Sequence, residues 1–208
     1  MAAEAEAMGS GRSPEGRDPS FTTLSEMFSN HYMDVLTHPL RISSAICSAC
    51  SLLILLTSLT TSYWVTERTP QGLIHAGLWE MCREPSCRYF PFRVPEFLHV
   101  TRAFLIMAVL CGLVSLIFIC ISFEHASVGP IYFMVVAGLL SFTAGFFTLI
   151  GISVFTAVHK SKRQYIQHLI IFGSSYGLGW ASISMYITTA AAHFFAYCKQ
   201  KNLSDSDC

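Results

Sequence analysis

Four long stretches without a single Asp, Glu, Lys or Arg constrain this chain more than anything else in it. They are Ile42–Tyr63, Ala103–Phe123, Ile131–Val158 and Leu169–Cys198, the last interrupted only by His193. Their lengths of 22, 21, 28 and 30 residues make up about half of the 208-residue chain. A helix rises about 1.5 Å per residue, so roughly 20 residues cross a hydrocarbon core of about 30 Å. Each run is long enough, and helices satisfy their own backbone hydrogen bonds in lipid, while the alternation of a membrane barrel is missing. Only 12% of the residues are charged, and the mean hydropathy is +0.49. That leaves too little polar surface for a soluble globule, which usually carries about 25% charge. The formal net charge is zero, so nothing drives bulk attraction to nucleic acid. The expected fold is an all-α membrane protein, a four-transmembrane-helix bundle.

The runs divide the rest of the chain. Residues 1–41 form an N-terminal tail with no stretch resembling a signal peptide, so the first run is expected to act as an uncleaved signal-anchor. Within the tail Phe21, Leu24, Phe28, Tyr32, Val35 and Leu36 recur at helical spacing, with Glu26, Asn30 and Asp34 on the other side. This predicts a short amphipathic helix stopped by Pro39. Its polar face is acidic, which suits packing on the chain's own bundle better than contact with lipid head groups. The longest connection, Trp64–Arg102, is rich in Pro and aromatic residues, and such punctuation predicts short strands and turns. Residues 199–208 form a short polar tail.

Charge and cysteine usage disagree about orientation. With four spans, the segments on the side of the termini carry five Lys or Arg, and the long loop and third connection together carry eight. Positive charge favours the cytosolic side, which would put the long loop inside. Yet of eight cysteines only Cys82 and Cys87 share a polar loop, as a disulfide in an oxidising compartment would require. Residue counting alone leaves the choice open.

The long loop holds Trp64, then Gly77-Leu78-Trp79, then Cys82 and Cys87, and Thr101-Arg102-Ala103-Phe104 opens the next apolar run. This ordered set resembles the peripheral myelin protein, epithelial membrane protein and claudin superfamily. The close cysteine spacing, Arg102 and Tyr176-Gly-Leu-Gly-Trp180 look most like the lens fibre intrinsic membrane protein branch. The resemblance covers about Arg41 to Cys198. It implies cytosolic termini, an extracellular β-sheet built mainly by the first loop, and a Cys82–Cys87 disulfide that holds Trp79 and the Tyr89-Phe90 segment on the helix ends. The N-terminus is longer than the family's, the loop has no Asn-x-Ser/Thr sequon, and the chain ends Ser-Asp-Ser-Asp-Cys.

The remaining motifs are weaker. Trp64 and Trp79 suit a membrane–water boundary, where the ring is in apolar surroundings and the N–H is near water. Gly77 would let the backbone turn tightly beside a bulky ring. Gly173, Gly177 and Ala181 recur every four residues, a spacing that lets helices approach closely, and are expected to pack inside the bundle. Cys198 beside Lys199 and Lys201 is compatible with S-palmitoylation. Cys47 and Cys50 form a C-x-x-C inside an apolar helix and read as small packing residues. The histidines show no metal-ligand spacing, and no nucleophile–base pair, phosphate loop or cofactor motif appears. The reading is a non-enzymatic, multi-pass plasma-membrane protein with a structural, cell-contact or membrane-organising role. Its expected partners are the lipid bilayer, further copies or other membrane proteins, and an acidic extracellular partner attracted by the basic loops. A role as an accessory subunit that regulates or traffics a channel or receptor is the alternative.

Overall fold

A computed structural model describes residue 39 and residues 42–69, 72–83, 85–90, 94–124, 127–128, 131–165 and 170–206. The amphipathic helix expected over Phe21–Leu36 lies outside the described residues. Four helices account for most of the chain: α1 (Ile42–Thr60), α2 (Glu96–Glu124), α3 (Phe133–Tyr165) and α4 (Ser174–Ser206). Between them run seven short strands: β1 (Val65–Thr69), β2 (Gly72–Ala76), β3 (Glu80–Arg83), β4 (Ser86–Tyr89), β5 (Ser127–Val128), β6 (Ile131–Tyr132) and β7 (Ile170–Phe172).

The helices pair many of their hydroxyl groups with their own backbone carbonyls. Ser51, Thr57 and Thr60 each donate to the carbonyl four residues back, and Thr148 and Thr156 do the same in α3. Polar and apolar residues are distributed inside out relative to a soluble protein. Ser48, Ser115, Ser141, Ser182, Thr189 and His193 are fully buried, whereas Leu53, Leu139, Phe142, Phe194 and Phe195 point outward with more than half of their surface open. Burying hydroxyls while exposing large apolar side chains is stable only when the surroundings are themselves apolar. Three helical segments, Ile42–Thr60, Glu96–Phe123 and Phe133–Ser161, are long and apolar enough to cross a membrane. The 33-residue α4 is diluted by Ser, Thr, Gly and Tyr and does not reach the same apolarity.

Helix boundaries differ from the apolar runs. The second helix begins at Glu96, directly after Pro95, whose carbonyl accepts from the Leu98 N–H; an acid in the first turn complements the helix dipole. Arg102 therefore lies in the second turn of α2 rather than at its opening. The third run begins in β6, and α3 continues past Val158 over the backbone of Lys160, Lys162 and Arg163. The fourth run begins as strand β7, and its helix starts only at Ser174.

Five strands form one antiparallel sheet in the order β4-β3-β2-β1-β7. Four come from the long loop, as the resemblance implied, and the fifth comes from the segment leading into α4. Gly72 enters β2 at φ +124°, a backbone conformation that side chains with a Cβ rarely adopt. Arg83 pairs with Ser86, so only two residues, including Pro85, connect β3 to β4. One core, containing Leu55, Trp64, Leu78, Leu105, Ile152, Phe155 and Tyr186, joins the helices to the base of the sheet.

Candidate functional site

The residues of the family-like motif converge on the C-terminal end of α1. A helix ends with four carbonyls that lack intrahelical partners, and in apolar surroundings each one left bare is costly. Here two indoles supply the missing donors. Trp64 Nε1 donates to the Ser58 carbonyl at 2.7 Å, and Trp79 Nε1 donates to the Leu59 carbonyl at 2.8 Å. The Thr61 N–H and hydroxyl both donate to the carbonyl of Thr57.

Trp64 is the centre of this clasp. It is fully buried, with its ring edge-on to Phe155 at 4.9 Å. Its backbone N–H donates to Ala76 and its carbonyl accepts from Gly173, so one residue joins α1, β2 and the start of α4. Gly77 passes directly over the end of α1. A Cβ there would lie 2.6 Å from Ser62 Cα and 2.8 Å from the Thr61 carbonyl, so only glycine fits. The need is close approach of two backbones rather than a tight turn beside a ring.

Leu78 is fully buried, and its carbonyl points at Arg102. The Arg102 Nε donates to it at 2.8 Å, and a second guanidinium nitrogen donates to the same oxygen. The guanidinium also stands 4.8 Å from the Trp79 ring centroid and 5.9 Å from that of Phe90. Such placement draws on the negative face of the ring. Arg102 thus ties α2 to the Gly-Leu-Trp turn without an acidic partner in the clasp.

Two serines complete the clasp that the sequence did not single out. Ser58 Oγ donates to the Ser175 carbonyl at 2.7 Å, the Ser175 and Thr61 hydroxyls share a 2.7 Å bond, and the Tyr63 N–H donates to Ser175 Oγ. Ser175 is the second residue of α4, past the N-cap position where serine is locally favoured, so no local signal marks it.

The expected glycine stripe on the fourth helix does not pack inside the bundle. Gly173 precedes the helix and abuts the Tyr63 backbone, a Cβ on Gly177 would meet nothing within 4 Å, and Ala181 is exposed. Close helix approach is instead made by Gly138 against His193 and Gly145 against Tyr186, both from α3, and by Gly179 against Ile152 and Ser58. Cys198 lies part-buried in α4 as a free thiol.

Cys82 and Cys87 face each other across β3 and β4 and are joined as a disulfide, with their Cα atoms 4.0 Å apart. The register also places His75 beside Cys82, so one ring nitrogen and both sulfurs lie within 4.8 Å. That set has the composition of a soft metal site, but metal-binding thiolates are not available while the sulfurs are bonded to each other.

An apolar-faced helical bundle, with a small sheet clasped to one helix end by two tryptophans and an arginine, defines a multi-pass membrane protein whose first loop is a folded unit. Residues 40–190 match the model of the PMP-22/EMP/MP20/Claudin family, and the chain belongs to that family. It is 30% identical to mouse protein NKG7 over 146 residues, covering 70% of this chain and 84% of that one. The human protein NKG7 is 28% identical over 147 residues, covering 71% and 85%. Human lens fiber membrane intrinsic protein is 26% identical over 154 residues, covering 73% and 87%.

Proposed function

We propose that the chain is a four-span plasma-membrane protein with cytosolic termini, acting structurally at cell contacts or in lateral membrane organisation through its extracellular sheet. The observation that carries this reading is the β1–β7 pairing, which ties the first loop to the segment after α3. Strands from two connections meet at the end of α1 and the start of α4. Such a meeting follows naturally when the helices alternate in direction and both loops emerge on one side. For α4 as the fourth span, support comes from its length, about 50 Å at 1.5 Å per residue. From Ser174 to Cys198 it also contains no Asp, Glu, Lys or Arg. Within this reading Cys198 is a cytosolic boundary thiol suited to acylation. The long loop, with five bases against four acids, and the three bases after Val158 form a positive exterior that favours acidic partners.

The test is co-culture of cells expressing the chain, tagged at either terminus, with cells that lack it. Tags reachable only after permeabilisation, together with enrichment where two expressing cells meet, are expected. Even distribution over free and contacting membrane would remove the contact role while leaving the topology standing.

A further inference from the structure

His75, Cys82 and Cys87 lie in one lateral row across β2, β3 and β4, because His75 is paired with Cys82 and Cys82 with Cys87. Side chains alternate along a strand, so residues in register project from the same face. Their surroundings differ. Cys82 is 3% exposed and His75 8%, whereas Cys87 is open to the outside. The imidazole is stacked on Tyr63 with ring centroids 4.4 Å apart, and its Nδ1 is buried without a hydrogen-bond partner.

A buried ring nitrogen beside a neutral disulfide gains little, since bonded sulfurs are weak acceptors. Beside a thiolate it would gain much more. Thiol–disulfide exchange creates one: an incoming thiolate attacks one sulfur, and the other departs with the electron pair. Exposure limits attack to Cys87, which makes Cys82 the leaving sulfur. A thiolate formed at a buried position is poorly solvated and leaves reluctantly. His75 stands where that obstacle arises.

We propose that Cys82–Cys87 is an exchangeable disulfide, and that Cys87 is a site of S-thiolation by small aliphatic thiols, with His75 receiving the departing Cys82 sulfur. The incoming thiolate sulfur bonds to Cys87 Sγ as the Cys82–Cys87 bond breaks, and its electron pair stays on Cys82 Sγ. The imidazolium form of His75 donates an N–H to that sulfur and then passes it the proton, giving a Cys82 thiol and a neutral imidazole. One disulfide is replaced by another, so no external oxidant is consumed. Among the described residues, the other titratable or charged groups on this face are Tyr63 beneath the ring, Arg68 on β1, Glu80 on β3 and Tyr89 on β4. Glu80 is engaged by the Ser62 hydroxyl.

The probe is glutathione, added to the purified full chain in nanodiscs, followed by acid quench, alkylation and peptide mass spectrometry. Glutathione on Cys87 with alkylated Cys82 is expected. Dividing the rate by the glutathione thiolate concentration leaves a constant on which the variants are compared. His75→Phe keeps the stack on Tyr63 and should slow exchange about tenfold. His75→Gln restores an N–H donor but has no proton to pass on, so it should recover only part of the rate. Glutathione on Cys82 would overturn the proposal. So would exchange seen only in the detergent-unfolded chain, or wild-type and His75→Phe constants that coincide. The preparation exposes both membrane faces, so the outcome is independent of orientation.

Discussion

Replacing Trp64 with Phe isolates the role of one indole N–H at the end of α1. The ring stays apolar and can keep its edge toward Phe155, but the Ser58 carbonyl loses its donor. Trp64 is fully buried, so water cannot take the place of the N–H. A buried acceptor left unpaired costs about 1–3 kcal/mol, and the volume lost on shrinking an indole to a phenyl adds roughly 1 kcal/mol. The total is about 2–4 kcal/mol. Trp79→Phe removes the equivalent bond to Leu59, but Trp79 is 37% exposed, and water or head groups can reach that carbonyl. Its expected cost is about 1 kcal/mol, including the weakened Arg102 contact. At about 2–4 °C per kcal/mol for a chain of this size, Trp64→Phe should lower the midpoint by roughly 4–16 °C and Trp79→Phe by only a few. Thermal unfolding in detergent, followed by loss of the monodisperse elution peak, measures both. Equal shifts for the two variants, or a Trp64→Phe midpoint within 2 °C of wild type (an order-of-magnitude bound from the same scaling), would refute the reasoning that buried carbonyl satisfaction holds the sheet to the helix.

Gly77→Ala places a methyl against the Ser62 and Thr61 backbone and should cost about 2 kcal/mol or more, whereas Gly177→Ala meets open space and should be neutral or stabilise by up to about 1 kcal/mol; the same elution assay separates them. Arg102→Lys keeps the charge but loses the two-pronged grip on the Leu78 carbonyl and the planar stack, so it should recover less than half of the stability lost in Arg102→Ala, read from the same midpoints. Replacing Lys160, Lys162 and Arg163 with Gln should weaken retention on an anionic glycan matrix more at low salt than at high salt; unchanged retention at both would remove the acidic-partner reading.

The membrane-crossing segments were legible because hydropathy is a local property, and the Trp64, Gly77-Leu78-Trp79 and Arg102 set was legible as an ordered motif. Where helices begin was not. Glu96–Arg102 is polar enough to read as loop, yet Pro95 and the first-turn acid start α2 there, and α3 continues through its lysines because nothing in that stretch breaks a helix. Non-local partners were invisible for a different reason. Ser58 and Ser175 are 117 positions apart, and β7 joins the sheet only by pairing with β1; neither relation leaves a periodic trace. The glycine stripe of α4 shows the limit of spacing arguments. Small residues four apart define a face, but only the packed structure says that Gly177 and Ala181 look outward while Gly138 and Gly145 of α3 and Gly179 of α4 make the close contacts.

The most direct test of the account is cysteine accessibility in intact cells. An impermeant maleimide is applied with and without an impermeant reductant, and labelling of Cys82 and Cys87 is mapped by mass spectrometry. The account predicts no labelling of either residue by maleimide alone, and labelling of the exposed Cys87 after reduction without permeabilisation, with the buried Cys82 reacting more slowly. Labelling without reductant would leave the loop outside and remove the bond. If neither cysteine labels until the membrane is opened, the sheet faces the cytosol and the contact role built on it is contradicted.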